Sequence, residues 1–311
     1  MSLLSVIPKT VKKVEFPCVA FAASCLGKVQ LFGRFWYILF SFLAFSKVPL
    51  EALYCYDGDP TYEECPYPCI EDIRLNGGYY LGKFISIDQS YGQFGFVKPL
   101  SVFEEDRPFI DAEAYIFNDH KWAASGGVGY RVRTSYSGVA GLNVYYDYRR
   151  GQCSSFNQVG AGIEWLSDSV DVTLNGYLPV GKSTKRNNKK FEYAYSGFDG
   201  SIGTALYSYR GYNLYAYVGT YYLTHDYQKQ FWGGFGGVDL DWKSLIIVKL
   251  RFSNDRIYSK TAQGIFMLSI PLDLFYCASA QECYCGFDLF SMPVRRIGMI
   301  LLGKSKRYIP K

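Results

Sequence analysis

The feature that most constrains this chain is strict alternation over Gly141-Leu-Asn-Val-Tyr-Tyr-Asp-Tyr-Arg149 and then NQVGAGIEWLSDSVDVTLNGYLPV, residues 157–180. In the first run Leu142, Val144, Tyr146 and Tyr148 share one face, and Asn143, Tyr145, Asp147 and Arg149 the other. In the second, Val159, Ala161, Ile163 and Trp165 oppose Gly160, Gly162 and Glu164. In the third, Val172, Leu174 and Leu178 oppose Asp171, Thr173, Asn175 and Tyr177. Side chains alternate across a strand, so each run reads as a strand with one apolar and one polar face. Charges and glycines on the polar face fit a barrel with lipid outside and a wet lumen inside. A large soluble β-sandwich or barrel also alternates and is the competing fold.

Composition favours the membrane barrel. Hydrophobic residues make up 49% of 311, yet mean hydropathy is only −0.04. Membrane helices, each needing about 20 consecutive apolar residues, would raise that value. The chain holds 29 Tyr and 31 Gly. Tyrosine suits a membrane interface, where one end of the ring is dry and the other wet, and glycine suits turns and crowded barrel walls. The formal charge of +5 comes mostly from the amino end. Of 33 Lys+Arg and 28 Asp+Glu, residues 1–52 hold six and two, which leaves 27 against 26. A near-neutral remainder gives no electrostatic case for nucleic acid.

The amino end reads as an export signal. Phe35–Phe45 is an apolar run between Arg34 and Lys47, too short to span a bilayer and suited to a signal-peptide core. Cleavage is expected between Lys47 and Leu53, and an uncleaved anchor is the alternative. Residues 1–52 are therefore assigned to the leader. Residues 53–83, rich in Cys, Pro, Asp and Glu, form a periplasmic or plug-like segment without sustained period. Residues 84–303 form the barrel, and 304–311 a short basic tail.

Within the barrel, alternating runs recur at hairpin spacing. Examples are Ile110–Ile116, Val128–Val132, Leu214–Val218, Val238–Trp242, Ile246–Phe252 and Phe266–Ile270. About ten strands are expected between Pro108 and Leu272, with 90–98 and 294–303 completing a closed sheet. The fold class is thus all-β, a transmembrane antiparallel up-and-down β-barrel of about 12 strands. Closure is required, because an open edge in lipid leaves backbone groups unpaired. Connections near Ser137-Gly138, Ser167-Asp168, Arg210-Gly211 and Lys243-Ser244 are tight. Those over 118–122, 150–156, 181–192, 225–231 and 254–262 are read as longer, and hence as extracellular.

The succession GVGYR (127–131), GLNVYYDY (141–148), VGAGIEWLSD (159–168), NGYLPV (175–180) and GFDGSIG (197–203) resembles the inverse autotransporter β-domain of the intimin/invasin family. Pro293-Val-Arg-Arg and Ile300-Leu-Leu are similar to that domain's final strand. The resemblance implies a twelve-stranded outer-membrane barrel inserted by the barrel-assembly machinery, in which a carboxy-terminal linker threads the lumen and displays an adhesin. Nine residues follow Leu302. Extended they reach at most about 30 Å, so no displayed passenger is expected. The expected role is structural or pore-like. The alternative is a surface adhesion or interaction protein acting through its outer loops.

Ten charged residues are assigned to the lumen because their sequence neighbours are apolar: Arg131, Arg133, Asp147, Arg149, Glu164, Asp171, Asp239, Asp241, Lys249 and Arg251. Cys55, Cys65, Cys69, Cys153, Cys277, Cys283 and Cys285 would survive cleavage and meet oxidising conditions, so disulfides are expected. Their odd number leaves one free or bonded to another envelope protein. The two histidines, His120 and His225, stand in turn-like contexts and are expected to be solvated. No catalytic, cofactor-binding or metal site is assigned: no nucleophile motif appears, and Cys283-x-Cys285 is too close for a typical zinc site. The expected setting is the outer membrane of a Gram-negative-type bacterium. The expected partners are its lipid, the assembly machinery and disulfide-linked envelope proteins, without nucleic acid.

Overall fold

The computed structural model describes residues 73–100, 106–134, 138–152, 154–167, 169–181, 184–187, 190–209, 212–226, 228–272 and 292–305. The leader and all nine cysteines lie outside the described residues, and so does every expectation about cleavage or disulfides.

Twelve antiparallel strands close into a barrel. In chain order they are β1 (Arg74–Gly82), β2 (Tyr91–Pro99), β3 (Asp106–Phe117), β4 (Trp122–Arg133), β5 (Gly138–Arg150), β6 (Ser155–Ser167) and β7 (Val170–Val180). After a short hairpin of β8 (Thr184–Asn187) and β9 (Lys190–Ala194) come β10 (Ser196–Tyr209), β11 (Tyr212–His225), β12 (Gln228–Trp242), β13 (Ile246–Asp255) and β14 (Ser259–Pro271). A last short strand, β15 (Leu302–Ser305), joins β9 and β8 in a separate three-stranded sheet. Sequential wall strands are neighbours throughout, and β1 closes on β14 from Arg74↔Pro271 to Gly82↔Gln263.

Two of the sequence assignments are corrected here. The strand that completes the wall is β1, inside the segment read as period-free, and 294–303 is not in the wall. Leu75 and Leu81 sit on one side of β1 with Asn76, Gly78 and Tyr80 on the other. The lumen side of that strand carries one charge, Arg74 at its very start, and none along the rest, so its alternation is weak in sequence. Residues 297–303 are buried save for the half-buried Gly298, and β15 crosses the boundary drawn at 304. A segment enclosed on every side has no lipid face, so its apolar residues run consecutively, as in Ile300-Leu-Leu302.

The wall has the polarity its alternation dictates. Leu142, Val144, Ile163, Leu174 and Leu178 are exposed outward, while Asn143, Asp147, Glu164, Thr173 and Asn175 are buried inward. Outward aromatics gather near the strand ends. Trp122 lies against Tyr148, and Phe198, Tyr222 and Trp232 cluster, at one end. Tyr212 stacks with Trp242 at the other. These are the two interfacial girdles of a membrane barrel.

Inward aromatics lie flat on glycines of the neighbouring strand. A Cβ on Gly127 would stand 2.4 Å from the Tyr145 ring, one on Gly129 2.1 Å from Phe109, and one on Gly233 2.2 Å from Tyr221. The glycines are the floor on which the rings rest, which explains why the chain is rich in both residues. Gly127→Val will therefore lift Tyr145 from the wall and overpack the interior. The expected cost is about 1–3 kcal/mol, read as a lower unfolding temperature by heat-modifiable gel migration.

Connections at one barrel end (the turn end) are 134–137, 168–169, 210–211 and 243–245, with 100–105. At the other (the loop end) they are 83–90, 118–121, 151–154, 181–195, 226–227 and 256–258. Two connections read as long are in fact tight, because β11, β12, β13 and β14 extend into 225–231 and 254–262. The asymmetry rests on 83–90 and on 181–195, which carries β8 and β9.

Candidate functional site: the filled lumen

Among the described residues, two inserts pack the lumen. From the loop end, residues 83–90 fold inward, closed by a paired bridge between Phe84 and Ile87. Phe84, Ile85 and Ile87 are buried. Ile85 takes φ 50°, a left-handed conformation unfavourable for a β-branched residue. Its burial and hydrogen bonds from its amide to Ser253 Oγ and Thr261 Oγ1, both 3.3 Å, hold it there.

The second insert is the carboxy-terminal segment. At the turn end Met292 packs on Val139 and Leu166, and its carbonyl accepts from Arg131 Nη1 at 2.6 Å. Asn175 Nδ2 donates to the Arg295 carbonyl at 3.0 Å, and the Ile297 amide donates to Tyr177 Oη at 2.9 Å. Arg149 Nη1 donates to the Ile300 carbonyl at 2.6 Å, and the Tyr195 amide to the Leu301 carbonyl at 3.1 Å. Leu302–Ser305 then pairs with β9 at the loop end. The segment therefore crosses the lumen from the turn end to the loop end.

Two guanidiniums anchor it. Arg296 Nη2 lies 2.5 Å from Asp147 Oδ2, both side chains almost wholly enclosed, and its guanidinium sits 3.9 Å from the Tyr145 ring centroid. Arg295 Nη1 is 3.7 Å from Asp171 Oδ2, with its guanidinium 4.2 Å from the Tyr215 centroid. Burying such charges is tolerated only when they are paired and hydrogen-bonded. The aromatic faces add cation–π attraction in a desolvated setting.

The residues assigned to the lumen from sequence occupy several environments. Arg131 is 0% exposed, bonds Glu164 Oε1 at 2.7 Å and lies over Phe109. Asp147, Arg149, Glu164, Asp171 and Asp239 are buried on the inner face. Lys249 pairs with Asp239 at 3.1 Å. Arg251 donates to Gln263 Oε1 at 2.8 and 2.5 Å and lies 4.0 Å from the Phe84 centroid. Asp241 is half-buried and accepts the Ser244 amide at 2.7 Å, so it also caps a turn. Arg133 shares the inward parity, but as the last residue of β4 it is exposed at the rim instead of enclosed.

Other inward residues complete the network. Tyr145 donates to Asp111 at 2.7 Å, Tyr177 to Asp199 at 2.5 Å, and Tyr115 to Glu113, which also accepts Gln93 Nε2 at 2.6 Å. The signal for Asp111, Glu113 and Asp199 was present as alternation. None was available for Arg295 and Arg296, because adjacent residues cannot share a face of a strand.

At the loop-end mouth a polar cavity of about 170 Å³ is bordered by Asp88, Asp119, Arg149, Glu192, Leu302 and Lys304. Lys304 Nζ pairs with Asp88 there at 3.3 Å. Partial burial pushes the Asp119 carboxyl up, but the hydrogen bond and charge of Lys121 outweigh it and hold the group below its ordinary value. His120 is exposed in its turn. His225, expected to be solvated, is instead half-buried, stacked on Tyr193 with ring centroids 4.5 Å apart and bonded to Thr184 Oγ1 at 3.2 Å. Its strand continues to the last residue, which carries the ring onto β9.

The resemblance seen in sequence is found on comparison: residues 104–253 match the family described as "Inverse autotransporter, beta-domain". No curated protein sequence matches the chain. A structure titled "Unveiling the Mechanism Behind the in-meso Crystallization of Membrane Proteins" aligns with TM-score 0.58 at 17% identity, over 75% of this chain and 100% of that one. The COG4313 outer membrane channel from Pseudomonas putida F1 aligns with TM-score 0.49 at 8% identity, over 69% and 100%. Outer membrane phospholipase A from Escherichia coli aligns with TM-score 0.40 at 11% identity, over 63% and 92%. The first of these likenesses, at 17% identity, is one of fold alone. The chain is an outer-membrane-type β-barrel similar to the inverse autotransporter β-domain.

Proposed function

We propose that this protein is a sealed structural mount in the outer membrane, which carries its own carboxy-terminal segment through the barrel and holds it at the cell surface. The observation that carries the reading is the path of Met292–Ser305 from the turn end to the loop end. A segment fastened at five or more points along that path, in a lumen also occupied by residues 83–90, argues for a mount over an open pore. The two aromatic girdles and the apolar wall support residence in a Gram-negative-type outer membrane, in contact with its lipid. Delivery there would follow export and use the barrel-assembly machinery. The reading assigns no catalytic step. Exposed loops remain available for contacts, and the sheet of β8, β9 and β15 is the surface an interaction partner would meet first.

Orientation decides the proposal. An epitope fused after Lys311 in the full chain is expected to be labelled on intact cells. So is an epitope inserted at Asn187, while one at the 243–245 turn stays silent until the cells are permeabilised. Labelling of the turn alone would reverse the barrel and remove the display role.

A further inference from the structure

We propose that the lumen is a latent cation-selective pore, stoppered by Arg295 and Arg296. This rests on the reading of the barrel as sealed by its own segment, and adds a function to it.

The half of the wall built from β3, β4, β5, β6, β7 and β10 faces the segment with Asp111, Glu113, Asp147, Asp171 and Asp199. Asp147 and Asp171 receive guanidiniums from the segment. Asp111, Glu113 and Asp199 are held by the hydroxyls of Tyr145, Tyr115 and Tyr177. A phenol hydrogen bond orients a carboxylate without cancelling its charge. Of the bases on the same half-wall, Arg131 is committed to Glu164 in a buried pair. Arg149 lies toward the loop end, where it holds the Ile300 carbonyl. Arg107 and Arg133 stand near the turn-end rim.

The middle of this half-wall, with Asp111, Glu113, Asp147 and Asp199, is therefore acidic, Asp171 stands nearer the turn end, and the segment supplies counter-charge to Asp147 and Asp171. The opposite half, from β11 to β14 with β1 and β2, carries both signs inward, Asp239, Asp241 and Asp255 against Arg74, Lys249 and Arg251; Asp239 pairs with Lys249, and Arg251 stands against Gln263 and Phe84. Rings of carboxylates in a pore select cations. A buried carboxylate stripped of its partner must either regain hydration or take up a proton. Neutralising the two arginines should thus loosen the segment and wet the path beside it, and what that path admits would be positively charged.

The test uses the full-length chain in planar bilayers under a potassium chloride gradient. The parent and an Arg295→Lys/Arg296→Lys variant, which keeps the charge, are expected to be silent. Arg295→Ala/Arg296→Ala should conduct steadily, with a reversal potential shifted toward the potassium equilibrium potential. Adding Asp147→Asn and Asp171→Asn should reduce that shift. If the alanine variant does not show the heat-modifiable migration of a folded barrel, Arg295→Gln/Arg296→Gln replaces it. Silence of a folded neutralised variant, or conduction without cation preference, would overturn the latent pore while leaving the sealed mount intact. Steady conduction by the parent would remove both, and surface labelling of the Lys311 epitope judges the mount independently.

Discussion

Arg296→Leu is expected to destabilise the barrel by about 3–5 kcal/mol, because it leaves the buried Asp147 carboxylate without its counter-ion. Among the described residues Asp147 accepts one further bond, from Ser125 Oγ at 2.7 Å, which is too little to hold a charge away from water. The double variant Asp147→Leu/Arg296→Leu should recover most of the loss, since an apolar pair of similar volume pays no desolvation. Urea titration of refolded barrel, followed by tryptophan fluorescence and gel migration, gives both values. Equal losses in the single and double variants would mean that the ion pair does not fasten the segment, and that its apolar contacts at Ile297, Met299 and Leu301 suffice.

The second large effect concerns the outer face. Ile163 is 58% exposed at the middle of β6, where it pairs with Leu142 and Leu174. Ile163→Arg is expected to cost about 2–4 kcal/mol in lipid vesicles, the penalty for an arginine at the bilayer midplane. Val180 lies on the same outward face but ends β7. Val180→Arg should cost only about 0–1 kcal/mol, as expected near an interface. Equal costs at the two positions would contradict the membrane placement, and a soluble barrel would show little cost at either.

The wall was legible because lipid and lumen impose opposite chemistry on alternate residues. Wherever both faces are present, as at Leu142/Asn143 or Ile163/Glu164, the period-2 signal survives in the sequence. It fails where one face is missing. Beyond Arg74 at its first position the lumen face of β1 shows only Asn76, Gly78 and Tyr80, so no charge marked the body of the strand. The segment 292–305 has no lipid face, so its signature was a consecutive apolar run with two adjacent arginines, easily read as a wall strand. The lumen network was partly visible for the same reason. Inward charges could be assigned by parity, but their partners could not, since Arg131 finds Glu164 two strands away and Asp147 finds Arg296 across the interior. The resemblance to the inverse autotransporter β-domain named the architecture without saying which residues of this chain would fill it.

The girdles also fix a length. Trp232 and Trp242 stand outward on β12, ten residues apart, one at each aromatic belt. At about 3.4 Å per residue and a tilt of about 40°, their levels differ by roughly 26 Å along the membrane normal. The protein thus carries a ruler matched to a thin hydrocarbon layer. In a thicker bilayer both indoles cannot reach the headgroups at once, and the lipid must compress around the barrel at a cost of fractions of a kcal/mol per Å. Acyl-chain length would then govern how readily the chain inserts, and a thin membrane would retain it in preference to a thick one.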